Sequence, residues 1–571
     1  MLTASSTLAS ESPSVQPSET SGVPPMITPY SRIGKPTEKL PWWAPVGWLL
    51  VTFFSLLFFA LFIALIPVIL LVIAVQQLAV KSRYRYHRKP EDLRIAIIGG
   101  GWSGLQCLER FKKRGVTHVD VYERYDDIGG TWNKNLRYHG LQIHGNMTVT
   151  SFDGLPYSTN PDVQGGKVMG EEVERYIHRF ADANKLRNHV QFNSTVEAVD
   201  YNPAGKTGTL SVTDTQTGQK RQSGPYDMVI WASMAAFGDV PAIRGANRFR
   251  GKQLHTTQYK TREFNDIIEH NKKVIIVGGG KAACDVVLSF RRAGYTNFTW
   301  LMRKPYLFYR YETLFHNGSL LNKMRGLSYL ATVLWTGVSS KLGAILHWSS
   351  GYVYTFGKAH ADFNHFHGGV LCPTQRNDLK DVPYTIGEIE EFSQNGVRLK
   401  DGSEQDCEVV IWATGNKSGI DTLKLSKDRE PFTLDPNAKL YNHFIIPQVP
   451  VMASSTALWT SFGPMRATNS ADLTIHHLCV RKPRTQKQME TVASRQLSRN
   501  SLLRSFIWAH NTCWLQQWVY FHIDLMLAGI TPVESFLKHA VEIFVLSKET
   551  PMEFNLLPRS RSEQRVDYDI D

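Results

Sequence analysis

Two glycine-rich turns, each set between a β-type run and a helical stretch, and one long uncharged apolar run predict an α/β chain. The expected architecture is two nested Rossmann-like dinucleotide-binding domains behind an N-terminal transmembrane helix. At 571 residues there is room for about three or four domains. A composition of 42% hydrophobic and 20% charged residues excludes a wholly disordered chain. Six cysteines without a Cys-x-x-Cys pair argue against a disulfide framework or a thiolate metal site, and for a reducing compartment.

The net charge of +13, taken whole, invites an anionic partner, but it is local. Residues 81–89 carry five basic groups (Lys81, Arg83, Arg85, Arg88, Lys89), and residues 481–504 carry seven Lys and Arg against Glu490. These stretches hold 11 of the 13 excess charges, so the body needs no nucleic acid, and both are placed to face anionic lipid.

Residues 1–40 read as a disordered tail, opening with a Ser-, Thr- and Pro-rich segment that cannot bury enough surface to offset the entropy of ordering. Residues 41–80 contain no charged side chain, and their apolar core exceeds the ~20 residues needed to cross a bilayer. A membrane anchor is expected, either one span or, because of Pro67, a re-entrant hairpin. The basic flank after it favours a body in the cytoplasm, most simply on the endoplasmic reticulum.

The first flavour of chemistry appears in RIAIIGGGWSG, residues 94–104. Gly99 permits a tight turn, Gly101 lets backbone approach a pyrophosphate, and Gly104 lets helix pack on strand. A second strand ends at Glu123, 19 residues after Gly104, placed to accept from ribose hydroxyls. The turn Gly129-Gly130-Thr131-Trp132 then allows close approach to the same nucleotide.

The pattern returns 179 residues later with Gly278, Gly280 and Ala283. Here the acid is replaced by Arg303 and Lys304, which suit a 2′-phosphate and so NADPH over NADH; a solvated turn is the other reading. Two apolar strands with small-residue ends, YDMVIWAS (226–233) and CEVVIWATG (407–415, with Thr414 and Gly415), mark where the chain passes between domains. This divides the body into residues 90–240 and 406–480 for one nucleotide, 241–405 for NADPH, and a basic, aromatic helical extension over 481–571.

Between the two fingerprints stands Phe249-x-Gly251-x-x-x-His255-x-x-x-Tyr259. With the other motifs, this string resembles the flavin-dependent monooxygenases that include flavin-containing and Baeyer–Villiger monooxygenases, over roughly residues 92–480. The ending in Tyr is similar to the flavin-containing version, whereas the Baeyer–Villiger string ends in Trp. The resemblance implies FAD in the first site and NADPH in the second. It also implies insertion of one oxygen atom from O2 into a small molecule through a C4a-(hydro)peroxyflavin.

The resemblance marks Asn146 and His255 as catalytic candidates; a turn role is the other reading of Asn146. It places His144 among the cofactor contacts, where Baeyer–Villiger enzymes have aspartate, and His139 where they have proline. Lys281-Ala282 replaces the usual Asn-Ser of the second fingerprint. Baeyer–Villiger oxidation of a ketone stays open, as does a reductase or a non-catalytic flavin-binding scaffold.

No metal is expected, since His360, His365 and His367 lack a matching ligand string. The apolar stretch 326–340 caps the substrate pocket, dips into the interface or forms a core helix. Residues 463–480 are expected, by analogy with the family, to open a helix beside the flavin. The Trp- and Tyr-rich stretch 506–529 suits lipid headgroups or a packing helix. The anchor points to a lipophilic substrate, and oligomeric state is left open.

Overall fold

The computed structural model describes residues 88–143, 168–233, 237–310, 353–355, 366–417, 419–434, 439–441, 444–455, 463–480 and 484–494, with isolated positions 46, 49, 53 and 57. At those four positions Val46, Leu49, Phe53 and Leu57 are helical and exposed. The rest of the predicted anchor, His144, Asn146, residues 326–340, His360, His365 and residues 506–529 lie outside the described residues. Among the described residues, no helix is long and apolar enough to cross a membrane.

Ten strands make two all-parallel sheets. The first contains β1 (Arg94–Ile98), β2 (His118–Tyr122), β3 (Val190–Gln191), β4 (Met228–Trp231) and β10 (Met452–Ser454), in the order β10-β4-β1-β2-β3. The second contains β5 (Lys252–His255), β6 (Val274–Val277), β7 (Phe298–Met302), β8 (Tyr384–Ile386) and β9 (Val409–Trp412), in the order β8-β7-β6-β9-β5.

The inner strands β1, β4, β6 and β9 read as nearly unbroken apolar runs because each is covered on both faces. Alternate residues go to opposite cores. Ile95 and Ile97 meet α1 (Trp102–Lys113), α2 (Gly170–Ala183) and α6 (Gly463–Ile475). Ala96 and Ile98 meet a five-stranded sheet of Ser194–Asn202, Thr207–Asp214, Lys220–Tyr226, Lys424–Lys427 and Glu430–Phe432. In the second domain, Val274 and Ile276 share a core with helices α3 (Thr261–Glu269), α4 (Lys281–Arg292) and α5 (Pro373–Leu379). Ile275 packs on the small antiparallel sheet Ile389–Phe392, Gly396–Leu399 and Glu404–Asp406.

The nesting is literal, because β10 completes the first sheet only after the whole second sheet has been made. One boundary is corrected. A second domain ending at residue 405 would exclude Val409–Trp412, yet this strand pairs with both Val274–Val277 and Lys252–His255 inside the second sheet. The chain therefore returns to the first domain beyond Gly415. The outward and return crossings run side by side, Phe237–Gly238 pairing antiparallel with Asn416–Lys417.

The basic collar is also qualified. Arg88 is not a free lipid-facing charge: it donates to Asp227 Oδ2 at 2.8 Å and to the Asp92 carbonyl at 2.6 Å. Of the C-terminal basic stretch, α7 (Gln486–Ser494) is the described helix. The five described cysteines, Cys107, Cys284, Cys372, Cys407 and Cys479, are buried and free.

Candidate functional site

The first fingerprint folds as its residues require. Gly99 has φ +113°, open to glycine and strained for any other residue. Gly101 is the N-cap of α1, and with no side chain it leaves the first-turn N–H groups to an incoming anion. A Cβ on Gly104 would lie 1.9 Å from the Gly99 carbonyl oxygen, so helix and strand touch backbone to backbone.

The later turn closes over this loop. Gly129 N–H donates to the Gly100 carbonyl at 3.1 Å, and a Cβ on Gly130 would stand 3.0 Å from Gly101 Cα. Together Gly99, Gly101, Glu123, Gly130, Thr131 and Trp132 line one cleft. Sequence reasoning missed Ser103, Arg124, Ser194, Thr195 and Ser233 in the same lining. Ser103 lies inside the fingerprint, Arg124 follows Glu123 and Ser233 ends the strand run 226–233, whereas Ser194 and Thr195 carried no signal and arrive through β-pairing.

Glu123 is buried, and burial pushes its carboxyl above the usual range against the N–H groups of Tyr125 and Gly100. Those groups donate at 3.0 and 2.7 Å. A carboxylate has about four acceptor positions, so the remainder can take ribose hydroxyls.

The second fingerprint repeats the first bond for bond. Gly99 N–H reaches the Tyr122 carbonyl at 2.9 Å and Gly278 N–H reaches the Leu301 carbonyl at 2.9 Å. Ala232 N–H donates to Ile98 and Ala413 N–H to Val277, each at 2.9 Å. Gly278 has φ +139°, and Gly280 caps α4 as Gly101 caps α1. Ala283 is fully buried, so the third fingerprint position tolerates a methyl here where Gly104 does not. Arg303 is exposed just past the end of β7, and Lys304 follows it half-buried.

In this structure His255, a catalytic candidate from the sequence, acts as a positioning residue. Its Nδ1 accepts the Thr257 N–H at 3.1 Å and its Nε2 donates to the Gly415 carbonyl at 2.8 Å. The ring is therefore the neutral Nε2–H tautomer, and burial lowers its pKa in agreement. Neither nitrogen is left for a substrate. The ring fills the space a side chain at Gly238 would need, 2.3 Å from a Cβ there, so it pins the crossing strands.

Thr414 and Gly415, expected from the sequence to contact a cofactor, also hold the crossings. The Gly415 carbonyl also accepts the Asp239 N–H at 3.0 Å, and the Thr414 hydroxyl donates to the Asp239 carbonyl, so both fasten the crossings. The departure at His139 is explained by its N–H, which donates to the Tyr259 carbonyl at 2.8 Å; proline could not. Lys281 is buried in an ion pair with Asp285. Among the described residues there is no cluster able to hold a metal.

Two parallel-sheet domains with matched glycine turns, an acid at one strand end and a basic pair at the other, define a two-dinucleotide flavoprotein oxidoreductase. A model of the flavin-binding monooxygenase-like family matches residues 92–426, and the chain belongs to that family. It is an enzyme of the oxidoreductase class whose cofactors are FAD and NADPH.

The chain is 25% identical over 390 residues to the probable FAD-binding monooxygenase AlmA of Acinetobacter baylyi, covering 63% of this chain and 75% of that protein. It is 26% identical over 366 residues to flavin-containing monooxygenase 5 of Homo sapiens, covering 59% of this chain and 65% of that protein. Among solved structures, oxidized steroid monooxygenase bound to NADP superposes with TM-score 0.50 at 14% identity, covering 77% of this chain and 98% of that one. At that identity the likeness is one of fold.

Proposed function

We propose that the protein is a membrane-anchored monooxygenase that uses NADPH and O2 to add one oxygen atom to a lipophilic small molecule. The observation that carries the reading is the asymmetry between two otherwise matched sites. Glu123 ends the strand in the first, suiting a ribose with free hydroxyls, and Arg303-Lys304 ends it in the second, suiting a 2′-phosphate. The reaction balances as NADPH, a proton, O2 and substrate going to NADP, water and oxygenated substrate.

When bound, the flavin supplies the two-electron chemistry, accepting hydride and reacting with O2. The chain's own part is to hold and shield. Gly99, Gly101 and Gly130 let backbone close on the first nucleotide, while Trp132 and Trp102 stand edge to face at 6.4 Å beside it. The crossings pinned by His255 keep the two domains in register.

The experiment is anaerobic mixing of purified protein with NADPH, followed by oxygen-18 and candidate lipophilic amines, sulfides and ketones. Flavin bleaching and a labelled mono-oxygenated product are expected; bleaching without incorporation would mean a reductase. A labelled ester or lactone from a ketone would favour Baeyer–Villiger chemistry, which the Tyr259 ending speaks against. Arg303→Ala should raise the KM for NADPH about tenfold or more, as loss of a charge-assisted bond does, with little effect on NADH. Equal effects on both would sink the 2′-phosphate role.

The anchoring is argued from the uncharged run 41–80 and its basic flank, with the body facing the cytoplasm from the endoplasmic reticulum. Extraction of the full chain from microsomes by alkaline carbonate would overturn the anchor. Protection of the body from protease in sealed microsomes would overturn its orientation.

A further inference from the structure

Residues 133–142 follow the Gly129–Trp132 turn and belong to the first domain by position, yet they are bound to both domains. On one side, Arg137 pairs with Glu171 at 3.0 Å and with Glu174, both on α2, and Lys134 N–H donates to Glu174 at 2.8 Å. On the other, Tyr138 and Leu141 are part of the second domain's core with Phe264 and Val286. The Tyr138 hydroxyl donates to Asp285 on α4 at 2.9 Å, and the His139 ring stacks on Phe264 of α3 at 4.0 Å.

Lys260 makes the most complete of these contacts. Its ammonium has three donors, and three main-chain carbonyls accept them: Lys134 at 3.3 Å, Asn135 at 3.0 Å and Arg137 at 2.7 Å. It sits at the N-cap of α3, directly after Tyr259, so it moves with the second domain. Main-chain acceptors cannot swing aside as side chains do. A shift of α3 is therefore passed to the segment that continues from the turn over the first nucleotide.

We propose that Lys260 is a positioning residue for hydride transfer, fixing the second domain's nucleotide against the first domain's by clasping residues 133–142. The inference rests on the reading that FAD and NADPH occupy the two sites. Reacting atoms must stand about 3–3.5 Å apart, and a displacement of about 1 Å can cost roughly a hundredfold in rate. A group that sets the angle between domains therefore acts on the rate at saturation and not on binding of either nucleotide.

The test is Lys260→Met in the full chain, which keeps length and loses every donor. Flavin content and KM for NADPH should stay within about twofold of wild type, while flavin reduction at saturating NADPH slows about tenfold or more. Amide exchange over residues 133–142, measured without NADPH, should speed up.

Lys260→Gln retains two N–H donors and should fall between, which also covers the case in which the Met variant does not fold. An unchanged saturating rate, a defect confined to KM, or unchanged exchange would each overturn the proposal. Wild-type flavin that NADPH does not reduce would instead sink the functional reading, and the exchange comparison would still decide whether Lys260 holds the segment.

Discussion

Gly104→Ala should give a protein that purifies almost free of FAD, although the change adds only one methyl. The Cβ would be 1.9 Å from the Gly99 carbonyl oxygen and 3.1 Å from its carbon. A clash with a flexible side chain could be relieved by rotation, but this oxygen is fixed by the turn. Gly99 is held at φ +113° and its N–H is bonded to the Tyr122 carbonyl. Helix α1 must therefore move off β1 by more than an ångström or the turn must open. Either outcome carries the first-turn N–H groups away from the phosphate position.

Overpacking of this kind typically costs about 1–3 kcal/mol, and a backbone-to-backbone contact belongs at or above the top of that range. Absorbance of the purified protein reads the flavin content directly. Gly101→Ala is the contrast in packing: its nearest protein neighbour would be Gly130 Cα at 3.3 Å, so it should cost less stability, and any flavin it loses comes from a methyl set against the phosphate position. Gly115→Ala, with nothing within 4 Å but φ +83°, should keep its flavin at a small cost in stability. Stoichiometric FAD in the Gly104 variant would refute the packing argument.

That ranking could not be read from the sequence, because both fingerprints satisfy the same pattern. Ala283 occupies the equivalent position in the second and is fully buried, so the methyl has room there. What was legible was whatever local chemistry dictates: apolar strands, glycine turns, an acid or basic pair at a strand end. Val409–Trp412 illustrates the limit. Its composition announces a buried parallel strand, but which sheet it enters depends on pairing with Lys252–His255, more than 150 residues earlier.

His255 shows the same limit on the chemical side. A histidine in a family signature invites a catalytic role, and only its partners, Thr257 and a carbonyl 160 residues away, reveal a neutral ring used as a pin. The clasp at Lys260 was equally hidden, since main-chain carbonyls leave no mark in a sequence.

The second large effect is expected at Asp472, which no motif announces. This residue of α6 is fully buried against α1, where Arg110 donates through Nε at 3.1 Å and Nη2 at 2.7 Å, and Arg114 through Nε at 2.9 Å. Arg110 and Arg114 are one helical turn apart and so share a face toward it. Burial alone would raise the Asp472 carboxyl, but the two guanidinium groups overrule it and hold the pKa down to about 2.

Asp472→Asn keeps the shape and removes the charge, leaving two cations facing each other beside a closed core. Breaking a buried pair in this way costs about 3–5 kcal/mol, and the melting temperature should fall accordingly. Acid acts through the same group. A carboxylate depressed from 3.8 to about 2 contributes stability that is fully present above pH 3.8 and is lost as the pH falls toward 2, worth roughly 2 kcal/mol. The Asn variant should lack this limb of the acid unfolding curve.

Asp472→Leu combined with Arg110→Met should recover much of the loss, since it leaves no buried charge on Arg110's side and Arg114 is nearer the surface. Denaturant midpoints at neutral pH for the wild type, the single variants and the double variant test the whole set. A single variant within about 1 kcal/mol of wild type would mean that the helix pair is held by its apolar contacts alone.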